Sequence, residues 1–362
     1  MELIASAPGK VFVVGEYAVV GGGPAVVATV TRRLRARVRS RRGHGELVVR
    51  GDGGVVRCSL AAERVDELPR EAQFVAGAAL VGARLFGLRG VDIEVDTASE
   101  LDPGASKTGL GGSAAAAAAT LCAMYGLARD VLPGADDEHA RVAAAVYAHR
   151  LVQGGGSAAD VIAASVGGLV WIDGLDGRDV PHDVSDCVAR VRRGNAVAFE
   201  RLCLPPGLTL EVVSSGRACA TGPRVARYAA LAWGEDEGVA AESVRAWAAG
   251  MRVASEMFHA ACRAEDPGLL LRSIRAAARL LSRLGALTGI AVFSAELRRA
   301  CSVAGQLSGV AAKPSGAGGG DCAIAILPRE RRTELRQLWR QAGLEPLELD
   351  LDPTGARCEV MA

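Results

Sequence analysis

Apolar positions along the first sixty residues fall into short runs and alternations that predict strands. VFVV at 11–14 is a β-branched and aromatic run between Lys10 and Glu16, and Gly21 to Pro24 reads as a tight turn. Residues 32–42, RRLRARVRSRR, alternate strictly. Arg33, Arg35, Arg37, Arg39 and Arg41 share one face and Leu34, Ala36 and Val38 the other, as in a half-buried strand. Helical patterning takes over at about 69–87, 113–128 and 136–152, with strands near 91–97 and 168–172. Residues 173–207 are rich in Asp, Arg, Gly and Pro and include Pro205–Pro206, so the crossing between two domains is expected there. Beyond it the pattern predicts a strand at 208–214, helices at 222–233, 237–262, 267–285 and 294–307, and a strand at 321–327. A helix at 329–341 and a strand near 346–350 close the chain. No internal repeat is visible. The class is α+β, with domains at 1–190 and 191–362.

At 362 residues, half of them hydrophobic, the chain can fill two cores flanking a cleft. A net charge of +1 points to neither a nucleic-acid nor a membrane partner. The arginine strand has no interleaved aromatics and no acidic residues nearby in sequence, so a solvated face is expected. Nine cysteines, an odd number without a C-x-x-C pair, argue against a disulfide framework and a zinc site. They fit reduced thiols in a cytoplasmic protein. MELIASAPGK has neither a basic n-region nor an apolar h-region, so no secretory leader is expected. Residues 108–128 are uncharged, but Ala and Gly are too weakly apolar for a membrane span.

Three loops carry the candidate chemistry. KTGLGGSAAAAAAT at 107–120 describes a glycine-rich turn running into an alanine helix. Its unpaired N–H groups and positive helix end suit a phosphate, or it is a capped structural helix. APGKVFVVGEYAVVGGGPAVV at 7–27 places Lys10 and Glu16 at the two ends of a strand, or is a hairpin with its charges in solvent. AAKPSGAGGGDCAIAIL at 311–327 is a flexible loop before a buried strand, either a linker or a segment closing over a ligand.

Together these loops resemble the three ordered motifs of the GHMP kinase superfamily, and the resemblance spans the chain. It implies an N-terminal domain similar to ribosomal protein S5 domain 2 and a ferredoxin-like C-terminal domain, with ATP and magnesium as cofactors. Lys107, Gly109, Leu110, Gly111, Gly112, Ser113 and Ala114 would hold the nucleotide, with Ser113 at the metal. The second motif usually carries two serines, and the first is Gly112 here. Within the superfamily, Gln153, Gly154, Gly156, Ser157 and Asp160 resemble the phosphomevalonate kinase branch. His149 stands eleven positions ahead of Asp160, where mevalonate kinases carry a glutamate. SSGRACAT at 214–221 is similar to that branch's acceptor-side loop, and diphosphomevalonate decarboxylases are less similar in the first motif.

The resemblance therefore implies ATP-dependent phosphorylation of (R)-5-phosphomevalonate to 5-diphosphomevalonate in isoprenoid biosynthesis. Lys10 and Asp160 would be catalytic. Glu16, Tyr17, His149, Ser157, Ser215, Arg217, Ser315, Gly316, Ala317 and Gly318 would join them around the acceptor. Read without the resemblance, Asp160 is a simple N-cap, and His149 and Arg217 are equally surface residues. A mevalonate or other small-alcohol kinase is the alternative activity. An inactive nucleotide-binding regulator fits less well with Lys10, Ser113 and Asp160 all present, and no G-x-G-x-x-G after an early strand supports a dinucleotide enzyme. A homodimer is compatible with the sequence.

Overall fold

The computed structural model describes residues 1–51, 54–101, 108–128, 137–173, 176–194, 197–234 and 238–361. The first sheet grows around a long antiparallel pair, β1 (Glu2–Val14) and β2 (Ala25–Arg42). Pro8 lies inside β1, where it would normally break a ladder. A register shift between Pro8 and Gly9 absorbs it. The first half of β2 pairs with β6 (Leu169–Ile172), which continues to β7 (Phe199–Leu202). The second half pairs with β5 (Val91–Ser99), followed by β3 (Glu46–Gly51) and β4 (Gly54–Ser59).

Leu34, Ala36 and Val38 of β2 are buried, as the alternation predicts. The arginine face differs from expectation in one respect: its counter-charges arrive across strands. Arg35 meets Glu100 at 3.1 Å, Arg37 and Arg39 meet Glu2 at 3.4 and 3.2 Å, and Arg41 meets Asp92 at 3.7 Å. Arg33 instead pairs with Asp352 and bonds the carbonyls of Ser6 and Gly355, fastening the C-terminal segment to this sheet.

Helices α1 (Arg70–Leu85), α2 (Gly112–Ala128), α3 (Glu138–Gln153), α4 (Ala159–Val166) and α5 (Val184–Arg192) cluster against the first sheet and one another. The alanine run of α2 is buried on every side, between β1, β2, α1, α3 and α4. Small side chains allow that approach: a Cβ at Gly82 of α1 would stand 2.5 Å from Met124 of α2. The helix has no apolar stripe because it has no solvent face.

The second sheet has β8 (Leu208–Ser214), β9 (Ala311–Pro314), β10 (Cys322–Pro328) and β11 (Glu345–Leu347) in the order β11-β8-β10-β9, all antiparallel. Helices α6 (Thr221–Trp233), α7 (Val239–Arg263), α8 (Pro267–Thr288) and α9 (Ala295–Ala304) lie between β8 and β9, and α10 (Arg332–Gln341) between β10 and β11. This is the order of the expected ferredoxin-like unit. β10 is apolar throughout because both its faces are covered. Ile324 and Ile326 join the main core, while Ala323, Ala325 and Leu327 pack in a second cluster with Leu297, Leu335 and Trp339.

The last strand, β12 (Arg357–Val360), pairs with β1. A cut between 190 and 191 therefore separates β7 and β12 from the sheet to which they belong. The segment read as a crossing also contains α5. Among the described residues no helix is long and apolar enough to cross a membrane.

Candidate active site

Lys10 and Glu16 do belong to a hairpin, but neither points freely into solvent: Lys10 is half-buried and Glu16 buried. The Lys10 ammonium donates to the Gly109 carbonyl at 3.1 Å, and its backbone N–H to the Leu110 carbonyl at 2.8 Å. Gly109 and Gly111 adopt φ of +75° and +83°, which glycine takes without strain. A Cβ on Gly111 would lie 2.6 Å from Lys10 Cε, so this glycine lets the lysine cross the loop. Lys107 lies outside the described residues.

The first intrahelical bond at this end of α2 runs from the Ala115 N–H to the Gly111 carbonyl. The N–H groups of Gly112, Ser113 and Ala114 therefore have no acceptor within the helix. A Cβ on Gly112 would meet nothing within 4 Å, so open space lies beside this residue. Donors, helix polarity and Lys10 together suit a polyphosphate. The half-buried Ser113 hydroxyl at the same end is an oxygen donor of the kind magnesium takes.

Asp160 is not the N-cap of α4. That position is Ala158, held at φ +54°, and Asp160 lies in the first turn with Oδ1 accepting from the Val161 N–H at 2.9 Å. Ser157 Oγ accepts from the Ala159 N–H at 3.3 Å. Gly154, Gly155 and Gly156 all have positive φ, and buried Arg150 donates through Nε to the Gly156 carbonyl at 3.1 Å. The turn that delivers Asp160 is thus pinned from α3.

His149 is wholly buried, not a surface residue. Its ring tilts against Phe74 at 4.9 Å, and neither ring nitrogen has a hydrogen-bond partner among the described residues. Burial holds the imidazole below its ordinary range. Asp160 opposes that shift, and Arg150 and Lys10 add to it, so His149 is neutral at pH 7.

The third loop is sewn to the first. Tyr17, at φ +62°, donates its hydroxyl to the Ala317 carbonyl at 2.7 Å, and Ser315 Oγ donates to the Phe12 carbonyl at 3.1 Å. Burial pushes the Tyr17 phenol upward, so it remains a donor. Gly316 has open space beside it, and Gly318 packs against the Val292 carbonyl. Ser215 Oγ is engaged within its own turn, accepting from the Arg217 N–H at 3.2 Å. The Arg217 guanidinium is 69% exposed and faces Glu296 at 3.7 Å.

Three further residues emerge from the structure. Lys313 is fully buried and ion-paired with Glu16, and it also donates to the Pro314 carbonyl at 2.8 Å. Asp321 accepts from the Cys219 N–H at 3.0 Å, and a Cβ on Gly109 would lie 2.4 Å from its Cβ. Arg224 lies over Gly319. Lys313 and Asp321 both fall within KPSGAGGGDC; a lone charge in an otherwise apolar strand was the available signal for Lys313.

Profiles of known families match two stretches: "GHMP kinases N terminal domain" over residues 73–168 and "GHMP kinases C terminal" over 258–343. The chain is 33% identical to a phosphomevalonate kinase of Streptomyces sp. strain CL190, over 96% of each. It is 29% identical to a mevalonate kinase of Aeropyrum pernix, over 89% of this chain and 87% of that one. Among solved structures, a Listeria innocua protein superposes over the full length of both chains with TM-score 0.85 at 23% identity. The Streptococcus pneumoniae phosphomevalonate kinase in complex with phosphomevalonate and AMPPNP superposes with TM-score 0.73 at 16% identity, over 96% of this chain and 99% of that one. With both domain profiles matched in order and a relative aligned end to end, the chain belongs to the GHMP kinase family.

Proposed function

We propose that this GHMP kinase transfers the γ-phosphoryl group of ATP to (R)-5-phosphomevalonate, giving 5-diphosphomevalonate. The observation that carries this reading is the charge balance around Lys10. Its ammonium meets a carbonyl rather than a carboxylate among the described residues, and the buried His149 beside it brings no negative charge. Such a site favours an anionic acceptor. The end-to-end similarity to a phosphomevalonate kinase supports the same choice.

Phosphoryl transfer needs charge neutralisation and in-line placement more than covalent help. The amides opening α2 would receive the nucleotide phosphates, and Ser113 would contribute its hydroxyl to a magnesium ion. When bound, that ion neutralises charge on the phosphates. Lys10 would stand between donor and acceptor groups. A phosphomonoester has its second pKa near ~6, so its oxygen reaches neutral pH already largely deprotonated. Asp160, whose Oδ1 accepts from the Val161 N–H, is then not required as a base. A hydroxyl acceptor would reverse this, since a positioned carboxylate must take its proton.

Similarity to the Aeropyrum pernix mevalonate kinase sustains that second reading. A coupled assay of the purified protein with ATP and magnesium separates the two. Phosphomevalonate is the expected acceptor and mevalonate a poor one. Equal or faster turnover of mevalonate rejects the proposal.

A further inference from the structure

A phosphorylated acceptor needs a cation of its own, separate from the one facing the γ-phosphate. Arg217 is poorly placed for this, with its guanidinium mostly in solvent opposite Glu296. Seven residues on, Arg224 occupies the first turn of α6 and is half-buried. Its Nη1 donates to the Ala220 carbonyl at 3.0 Å, whereas Nε is buried with no partner among the described residues. No carboxylate pairs with it among those residues. Arg224 lies close against Gly319, where a Cβ would stand 2.3 Å from Nη2. The guanidinium therefore lies across the glycine turn that Tyr17 and Ser315 join to the strand carrying Lys10.

A structural role accounts poorly for this arrangement. A cation in the first turn of a helix opposes the helix dipole, which favours cations at the other end. A buried guanidinium N–H without an acceptor also carries a desolvation penalty. Both costs vanish if an anion sits there, and a planar fork with unspent donors matches the geometry of a phosphate.

We propose that Arg224 is the specificity-determining cation for the phosphate already present on the acceptor, gripping it from the C-terminal domain while Lys10 serves the transferring group. The assignment rests on the acceptor reading above. Its test is steady-state kinetics of wild type, Arg224→Met and Arg224→Lys, with phosphomevalonate and ATP varied separately. Arg224→Met is expected to raise the KM for phosphomevalonate by about 30-fold or more, as loss of a charged hydrogen-bonded pair does. The KM for ATP and the melting temperature should stay close to wild type. Arg224→Lys, which keeps the charge but loses the fork, should fall between the two.

An unchanged acceptor KM in Arg224→Met, or an equal rise for ATP, overturns the assignment while leaving the acceptor reading intact. Should Arg224→Met fail to fold, wild-type acceptor affinity in Arg224→Lys overturns it. A wild type that prefers mevalonate overturns both.

Discussion

The outer face of β2 and the cleft around Lys10 are both rich in cations, and they treat them in opposite ways. On β2 Arg37 and Arg39 share Glu2 of β1, Arg41 meets Asp92 of β5 and Arg35 meets Glu100 just beyond β5, and all four are substantially exposed. That face is internally neutralised and has little attraction left for an anion. In the cleft, Lys10 bonds a backbone carbonyl and Arg224 another, while nearby His149 is neutral. The cations that can serve a polyphosphate are those left without a carboxylate, not those most densely packed in sequence. Lys313 is the instructive intermediate: it is fully buried, but it is spent on Glu16 and holds the third loop against the first.

That distinction can be broken by substitution. Lys313→Met strands the Glu16 carboxylate, one oxygen of which already lacks a partner. Removing one member of a buried ion pair costs about 3–5 kcal/mol, so the urea midpoint should fall sharply, and Glu16→Gln added to it should restore most of the loss. A single variant as stable as wild type would show the pair to be dispensable.

Lys10→Ala should leave stability nearly unchanged and lower kcat with phosphomevalonate by about 10²–10³, because two anions then face each other unscreened. Asp160→Asn should cost no more than that, since it also removes a negative charge. Single-turnover rates decide: a much greater loss for Asp160→Asn makes the carboxylate a base and the acceptor account false.

His149 sharpens the cleft side through pH. An unfolded histidine titrates near ~6.5, and burial holds this one lower. Below ~6.5 the unfolded chain then binds the extra proton, so its contribution to stability is complete above that pH and is lost as pH falls toward the folded value. Denaturant titrations at several pH values should show a steeper acid-side decline in wild type than in His149→Leu, by up to about 1.4 kcal/mol per pH unit. Equal slopes would mean that folding leaves the His149 pKa unshifted. On the other side of the comparison, Arg37→Ala should change stability by about 1 kcal/mol or less and leave turnover untouched. A tenfold drop in activity there would remove the contrast altogether.

Much of this molecule could be read before folding, for a definite reason. Long amphipathic helices such as α7 and α8 announce themselves by period, and glycine-rich turns by steric necessity. The arginine alternation on β2 was legible from one strand, but its neutralisation was not, because Glu2, Asp92 and Glu100 belong to other segments. α5 was hidden among Asp, Arg, Gly and Pro residues because its buried side is only Val184, Cys187 and Val188. β12 is four mostly exposed residues whose strand identity comes from pairing with β1.

Local chemistry indicated most of the strands, helices and glycine-rich turns, since periodicity, helix propensity and glycine's freedom act over a few residues. The resemblance of three ordered motifs to a known family then named Lys10, Ser113 and Asp160 as the candidate reactive groups. Which cations remain unpaired is a property of long-range contact. Lys313 meets Glu16 across 297 positions, and Arg224 reaches the Gly319 turn only when α6 folds against the third loop. Coulomb energy depends on distance and burial rather than on separation along the chain, so those assignments had to wait for packing.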